Sequence, residues 1–148
     1  MATAGAVYAR GPYRQSFLRK DPVGWQDFAD ALAGHSSRGS AYTMRGVQAR
    51  RPSVYDLQAQ LARLTLPTLI MTGDEDDPCL APALFLKQHV GSAGLLVLPK
   101  TGHTINLEEP ETFNRAVLDF LTLVESGHWP SREPKPAARS ALLPEDRR

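Results

Sequence analysis

Two short apolar runs, Thr68-Leu69-Ile70-Met71 and Leu95-Leu96-Val97-Leu98, constrain this chain more than any other feature. Each is too short for a helix, and each is bracketed by breakers: Pro67 and Gly73 around the first, Gly94 and Pro99 around the second. Apolar runs so bounded read as buried strands. Between them, residues 81–90 have helical spacing, with Ala83, Leu86 and Val90 able to share a face and Gly91 as a natural stop just beyond. After the second run, Phe113, Val117, Phe120, Leu121 and Val124 recur at three- and four-residue intervals with Pro110 near the start, the pattern of an amphipathic helix. Strand, helix, strand, helix predicts α/β architecture with a parallel sheet covered on both faces. Such sheets place their working residues at the carboxyl ends of the strands.

Both sets of chemically capable residues fall there. Asp74, Glu75, Asp76 and Asp77 follow the first strand, and Thr101-Gly102-His103-Thr104 follows the second. One strand-helix-strand unit separates Asp76 from His103, so their two loops lie side by side. A carboxylate next to an imidazole fixes the ring's tautomer and stabilises the imidazolium formed when the ring takes a proton, as nucleophilic acyl transfer requires. A run of acids is otherwise a solvated loop, because like charges are best kept apart in water. A Mg²⁺ turn is the other alternative, but Asp77-Pro78 stands where a phosphate-binding turn would continue, and the glycine and distal glutamate of a calcium loop are missing. No resident metal or cofactor is expected. His35, His89 and His128 have no such context and read as structural.

The segments GDEDDP and PKTGHTINLEEPETFN together resemble the C-terminal third of α/β-hydrolase-fold enzymes. In that family a Gly-Asp-x-Asp turn ends one strand and a Gly-His turn ends the next. The resemblance covers residues 64–125 and implies that Asp76 is the triad acid and His103 the triad base of a Ser-His-Asp hydrolase. It implies a small acyl substrate, such as an ester, a thioester or a carbon–carbon bond next to a carbonyl. The nucleophile elbow G-x-S-x-G is not in the sequence. Gly34-His35-Ser36-Ser37-Arg38-Gly39 imitates its first half, but Arg38 sits where a glycine is required, and the segment follows a helical pattern over residues 25–32 rather than a strand. The chain therefore reads as a C-terminal portion of a longer hydrolase, inactive alone, with the first sheet strands and the elbow absent. The alternative is a noncatalytic remnant of such an enzyme that acts as an interaction module.

Residues 1–66 carry helical patterns punctuated by Pro22, Gly34, Gly39 and Pro52, as expected of a helical lid inserted before the last strands. Residues 67–126 are the C-terminal part of the catalytic domain, and residues 127–148, rich in Pro, Ser and charge, read as a disordered tail. Residues 1–20, with Arg10, Arg14, Arg19 and Lys20 and no acid, read as a ragged entry to the lid, with an organellar transit segment as the alternative. The overall charge of +1 hides a division: nine Lys/Arg against four Asp/Glu before Pro67, then three against nine up to Ser126. Arg38, Arg45, Arg50 and Arg51 are candidates for holding an anionic substrate group, with Arg45 foremost. A solvated helix face is the alternative. The basic stretch lacks interleaved aromatics, which argues against nucleic acid. No apolar run approaches the roughly 18 residues of a membrane span. The single Cys79 cannot form an internal disulfide and reads as a small packed residue. A cytoplasmic location fits these features.

Overall fold

The computed structural model describes residues 2–132. Strands β1 (Thr68–Gly73) and β2 (Ala93–Leu98) pair in parallel, with Thr68 opposite Ala93 and Gly73 opposite Leu98. Helix α6 (Asp77–His89) makes the crossover. It begins earlier than the 81–90 spacing suggests, because Pro78 suits a first-turn position where no amide hydrogen is needed. Pro82 is also accommodated inside this helix. β2 leads through a tight turn to α7 (Ile105–Glu108) and then α8 (Pro110–Glu125), which has proline in its first turn as expected.

The strands are only half covered. Leu69, Ile70 and Met71 are of intermediate burial, and β1 has no second strand partner among the described residues. The sheet therefore departs from the expected doubly covered form. α8 likewise leaves Leu118, Leu121 and Leu123 exposed.

The N-terminal region is helical: α1 (Ala2–Ala9), α2 (Gln15–Lys20), α3 (Pro22–Ala33), α4 (Ser37–Thr43) and α5 (Gln58–Leu61). A wide helical turn at Met44–Gln48 and a tight one at Val54–Leu57 fill the interval before α5, the latter opened by a reciprocal Ser53–Asp56 capping box. Residues 2–20 are not a ragged entry but half of a packed core. Ala9 and Phe17 are buried against Trp25 and Ala29 of α3, with Phe28 edge-on to Phe17 at a centroid distance of 6.1 Å. The Trp25 indole N–H donates to the Ala9 carbonyl at 3.0 Å, so its polar end is satisfied inside the core. Arg14 is buried here too, its guanidinium 4.0 Å from the Tyr8 ring centroid and donating to the Tyr8 hydroxyl. Alanine-rich α1 hides its burial from a periodicity search because small residues allow close helix approach without large apolar side chains.

The segment expected as tail is anchored where it is described. The Trp129 indole donates to the Ser92 carbonyl at 2.7 Å and meets Phe120 edge-on, and the Arg132 amide donates to the Gly91 carbonyl. The remainder of that expected tail, residues 133–148, lies outside the described residues.

Candidate active site

The acidic turn after β1 divides its four carboxylates among four environments. Asp74 accepts from the Thr101 amide at 3.1 Å and so ties the two strand-end loops together. Glu75 forms an ion pair with Arg19 at 3.0 Å. Asp77 is exposed in the first turn of α6, where a negative charge suits the helix dipole. Asp76 is the one that turns inward. It holds the N-cap position of α6, yet its side chain makes no capping hydrogen bond. Its Oδ2 instead accepts from His103 Nδ1 at 2.8 Å. The aspartate at the capping position is thus turned to the imidazole in place of the helix amides.

The loops meet because glycine lets their backbones touch. A Cβ on Gly73 would lie 2.0 Å from the Thr101 carbonyl oxygen, and one on Gly102 would lie 2.3 Å from the Tyr13 carbonyl oxygen. A side chain at Gly73 would therefore push the two strand-end turns apart, and one at Gly102 would push the His103 loop off the turn that carries Tyr13. Further backbone bonds fix the approach: the Asp74 amide donates to the Leu98 carbonyl and the Glu75 amide to the Thr101 carbonyl. Lys100, at φ 56°, supplies the left-handed step that swings the chain from β2 toward His103.

Beneath His103 sits a residue that the sequence reading did not single out. The Glu108 side chain is fully buried. Its carboxylate accepts from the Gly102 amide at 2.9 Å, the Thr104 hydroxyl at 3.0 Å and the Thr104 amide at 3.3 Å, so it clamps the loop on both sides of His103. Lys20 approaches it at 3.8 Å and also pairs with Glu109 at 2.5 Å. The sequence signal was present in the Glu108-x-Pro110 pattern, where Pro110 ends one short helix and starts the next. The His103 amide donates to the Tyr13 carbonyl at 2.8 Å, so the N-terminal region also holds this loop.

With Asp76 on Nδ1, the ring carries its proton there and presents Nε2 as the basic nitrogen. The side chain of His103 is 43% exposed, whereas that of Asp76 is 6% exposed. This is a buried carboxylate behind an accessible base. Cys79 adds a third group: its Sγ lies 3.8 Å from the same Nδ1. Burial and the neighbouring Asp76 carboxylate push its thiol up to about 11. It faces the nitrogen already taken by Asp76, which is the wrong side for a nucleophile activated by Nε2.

The other residues of interest lie apart from this cluster. Ser36 caps α4, its Oγ accepting from the Gly39 amide at 3.1 Å, which is the ordinary use of serine before a helix. Arg38 is stacked on Tyr42. Arg45 is exposed in the wide turn at Met44–Gln48. The charge division appears as contacts of Arg19 and Lys20 with the acidic loops rather than through the 38–51 segment. His89 packs on Phe85, and His128 contacts the Ser126 hydroxyl. An open, largely apolar groove of about 800 Å³ between α1, α3 and α4 is lined in part by Tyr8, Leu32, His35 and Met44, and by none of Asp76, Cys79 or His103.

Residues 2–117 match the model of the alpha/beta hydrolase family. The 3-oxoadipate enol-lactonase 2 of Acinetobacter baylyi is 36% identical over 71% of this chain and 38% of its own length. A protein of Pseudomonas savastanoi pv. phaseolicola with the provisional name carbamate hydrolase RutD is 34% identical over 64% of this chain and 36% of its own. The solved structure of MenH from S. aureus superposes with a TM-score of 0.75 on 82% of this chain and 45% of that one, at 22% identity, a likeness of fold. The match thus spans less than half the length of each of these proteins.

Proposed function

The chain belongs to the alpha/beta hydrolase family, and from that premise we propose that it supplies the acid and base of a Ser-His-Asp triad acting on a small acyl substrate. In this reading His103 Nε2 takes the proton of a serine hydroxyl as that oxygen attacks the acyl carbon, then returns it to the leaving group. Asp76 holds the ring in its Nδ1-protonated tautomer and stabilises the transient imidazolium. Residues 67–126 are the C-terminal part of the catalytic domain and residues 1–66 its lid. The observation that carries the reading is the 2.8 Å contact between a buried Asp76 and an accessible His103 at the ends of adjacent parallel strands. The two relatives named for hydrolase chemistry support an acyl substrate of modest size.

The nucleophile is to come from a G-x-S-x-G elbow that the 148 residues do not contain. The chain by itself, given an activated aryl ester, should therefore turn over no faster than its His103→Ala variant. A product burst abolished by Ser36→Ala would overturn this. With an elbow-bearing hydrolase segment joined ahead of residue 1, His103→Ala should lower kcat by about 10⁴-fold or more, with little change in KM. An unchanged rate would remove His103 from the chemistry.

Arg45 is the residue we assign to steering an anionic substrate, on the strength of its exposure in a basic segment. Such steering acts over a screening length of about 8 Å and weakens with salt. In the same joined enzyme, Arg45→Ala should raise KM for a carboxylate-bearing ester more than for its neutral analogue, and high salt should erase the difference. Equal effects on both esters would make Arg45 a surface charge only.

A further inference from the structure

Asp76, Cys79 and His103 bring one carboxylate oxygen, one sulfur and one imidazole nitrogen within 4.8 Å of one another. We propose that these three side chains form a binding site for a thiophilic divalent cation of the zinc class, overlapping the Asp76–His103 pair. The proposal rests on donor chemistry and geometry, not on the catalytic reading.

Carboxylate, thiolate and imidazole are the donors that zinc takes, and three protein ligands with one open position make a familiar coordination set for it. Metal–ligand bonds of about 2.0–2.3 Å place neighbouring donors of a tetrahedron roughly 3.3–3.8 Å apart. The Sγ to Nδ1 separation of 3.8 Å already fits, and the 2.8 Å between Nδ1 and Oδ2 needs to widen by only about half an ångström. An independent sign is the second carboxylate oxygen. Asp76 Oδ1 is buried without a hydrogen-bond partner, although the Asp76 side chain is only 6% exposed. A buried carboxylate oxygen left unpaired is costly and calls for a cation or a polarised water.

The frame is built before any ion arrives. Asp76 and Cys79 stand three residues apart at the opening of α6, so the first helical turn brings them to one side. The Asp74–Thr101 and Glu75–Thr101 bonds then hold the His103 loop against them. The partly exposed ring leaves a route for entry and a position for a water ligand. On coordination the Cys79 thiol proton passes to solvent and the His103 proton moves from Nδ1 to Nε2, so the Nδ1 lone pair can face the metal. The Asp76–His103 hydrogen bond is exchanged for a bond from each residue to the cation. Because Nε2 is then protonated, the bound ion and the general-base role of His103 exclude each other, and the ion acts as a reversible block.

Cobalt(II) is the probe, because its thiolate complexes show an intense near-ultraviolet charge-transfer band and tetrahedral sites show strong visible bands. The chain has one cysteine, so a thiolate band reports Cys79. The full chain should bind one Co²⁺ per monomer with both features, and Zn²⁺ should displace it. Cys79→Ser, checked for an unchanged circular dichroism spectrum, should lose the charge-transfer band. His103→Gln and Asp76→Asn should each weaken binding by more than about tenfold, whereas His89→Gln and His128→Gln should leave it unchanged. Absence of the thiolate band at saturating Co²⁺ would overturn the site. So would a band that survives intact in both His103→Gln and Asp76→Asn, or a stoichiometry of one metal per two chains. These readings need no substrate, so they stand or fall separately from the triad.

Discussion

The helical N-terminal region and the loops at the strand ends are held together by opposite kinds of contact. In the first, the buried side chains are chiefly apolar: Ala9, Phe17, Trp25 and Ala29 form one cluster with Leu18, Phe28 and Leu32 packed on it. In the second, buried polar groups gather around His103: Asp76, Thr101, Thr104 and Glu108. Apolar packing is nondirectional, so it sets how tightly the helices hold but leaves their details adjustable. A buried hydrogen-bond network is directional. It fixes where one ring points and penalises any member left without a partner. The difference teaches that the helical region governs whether the chain stays folded, and the loop network governs whether His103 stays in place.

Truncation in the helical region should produce the largest loss. Phe17→Ala removes a ring that is 1% exposed and should cost about 3–5 kcal/mol in denaturant unfolding. A loss below about 1 kcal/mol would mean that this cluster is not the stabilising one, and the contrast between regions would fail. Glu108→Ala should come next, costing about 2–4 kcal/mol because it strands the Gly102 and Thr104 donors in a buried site. It should also broaden or shift the His103 ring resonances in nuclear magnetic resonance spectra while the Trp25 indole signal stays put. Equal perturbation of both signals would erase the distinction between global and local roles.

The smallest effect concerns a single thiol. With Cys79 raised from 9.0 to about 11, first by burial and then by Asp76, the thiolate fraction at pH 8 falls by about 100-fold against a free cysteine. Alkylation by iodoacetamide should be slow at pH 8 and climb toward pH 11, and Asp76→Asn should speed it. The sign for stability follows: a folded-state value above the unfolded one stabilises the fold fully below pH 9, and that contribution fades between pH 9 and 11. Alkylation as fast as that of the unfolded chain would show that Asp76 does not govern the sulfur.

Legibility in the sequence followed the same division. Thr68-Leu69-Ile70-Met71 and Leu95-Leu96-Val97-Leu98 announced their strands because apolar runs between breakers have few other uses, and Phe113, Val117, Phe120 and Val124 announced α8 by spacing. The placement of Asp76 opposite His103 followed from the strand-helix-strand unit between them. Three things were not legible. Small residues such as Ala9 and Gly5 carry no amphipathic signal, so the core built on residues 2–20 was read as ragged. Glu108 belongs to a helix-start pattern with Pro110, but that pattern does not say that its carboxylate is buried, since its partners are the Gly102 and Thr104 amides and the Thr104 hydroxyl. The nearness of Cys79 to His103 depends on how α6 begins, and that start lies four residues before the one inferred from spacing.

The hydrogen bond from the His103 amide to the Tyr13 carbonyl joins the His103 loop to the turn between α1 and α2. That amide can exchange its hydrogen with solvent only when this contact breaks, whether or not the β1–β2 ladder opens. Its protection factor is therefore a local gauge of how often the helical layer lifts from the strand ends, readable without any substrate. An assembly in which those helices must move to admit a ligand would loosen the His103 loop with each opening, so that admission and a fixed imidazole would alternate in time.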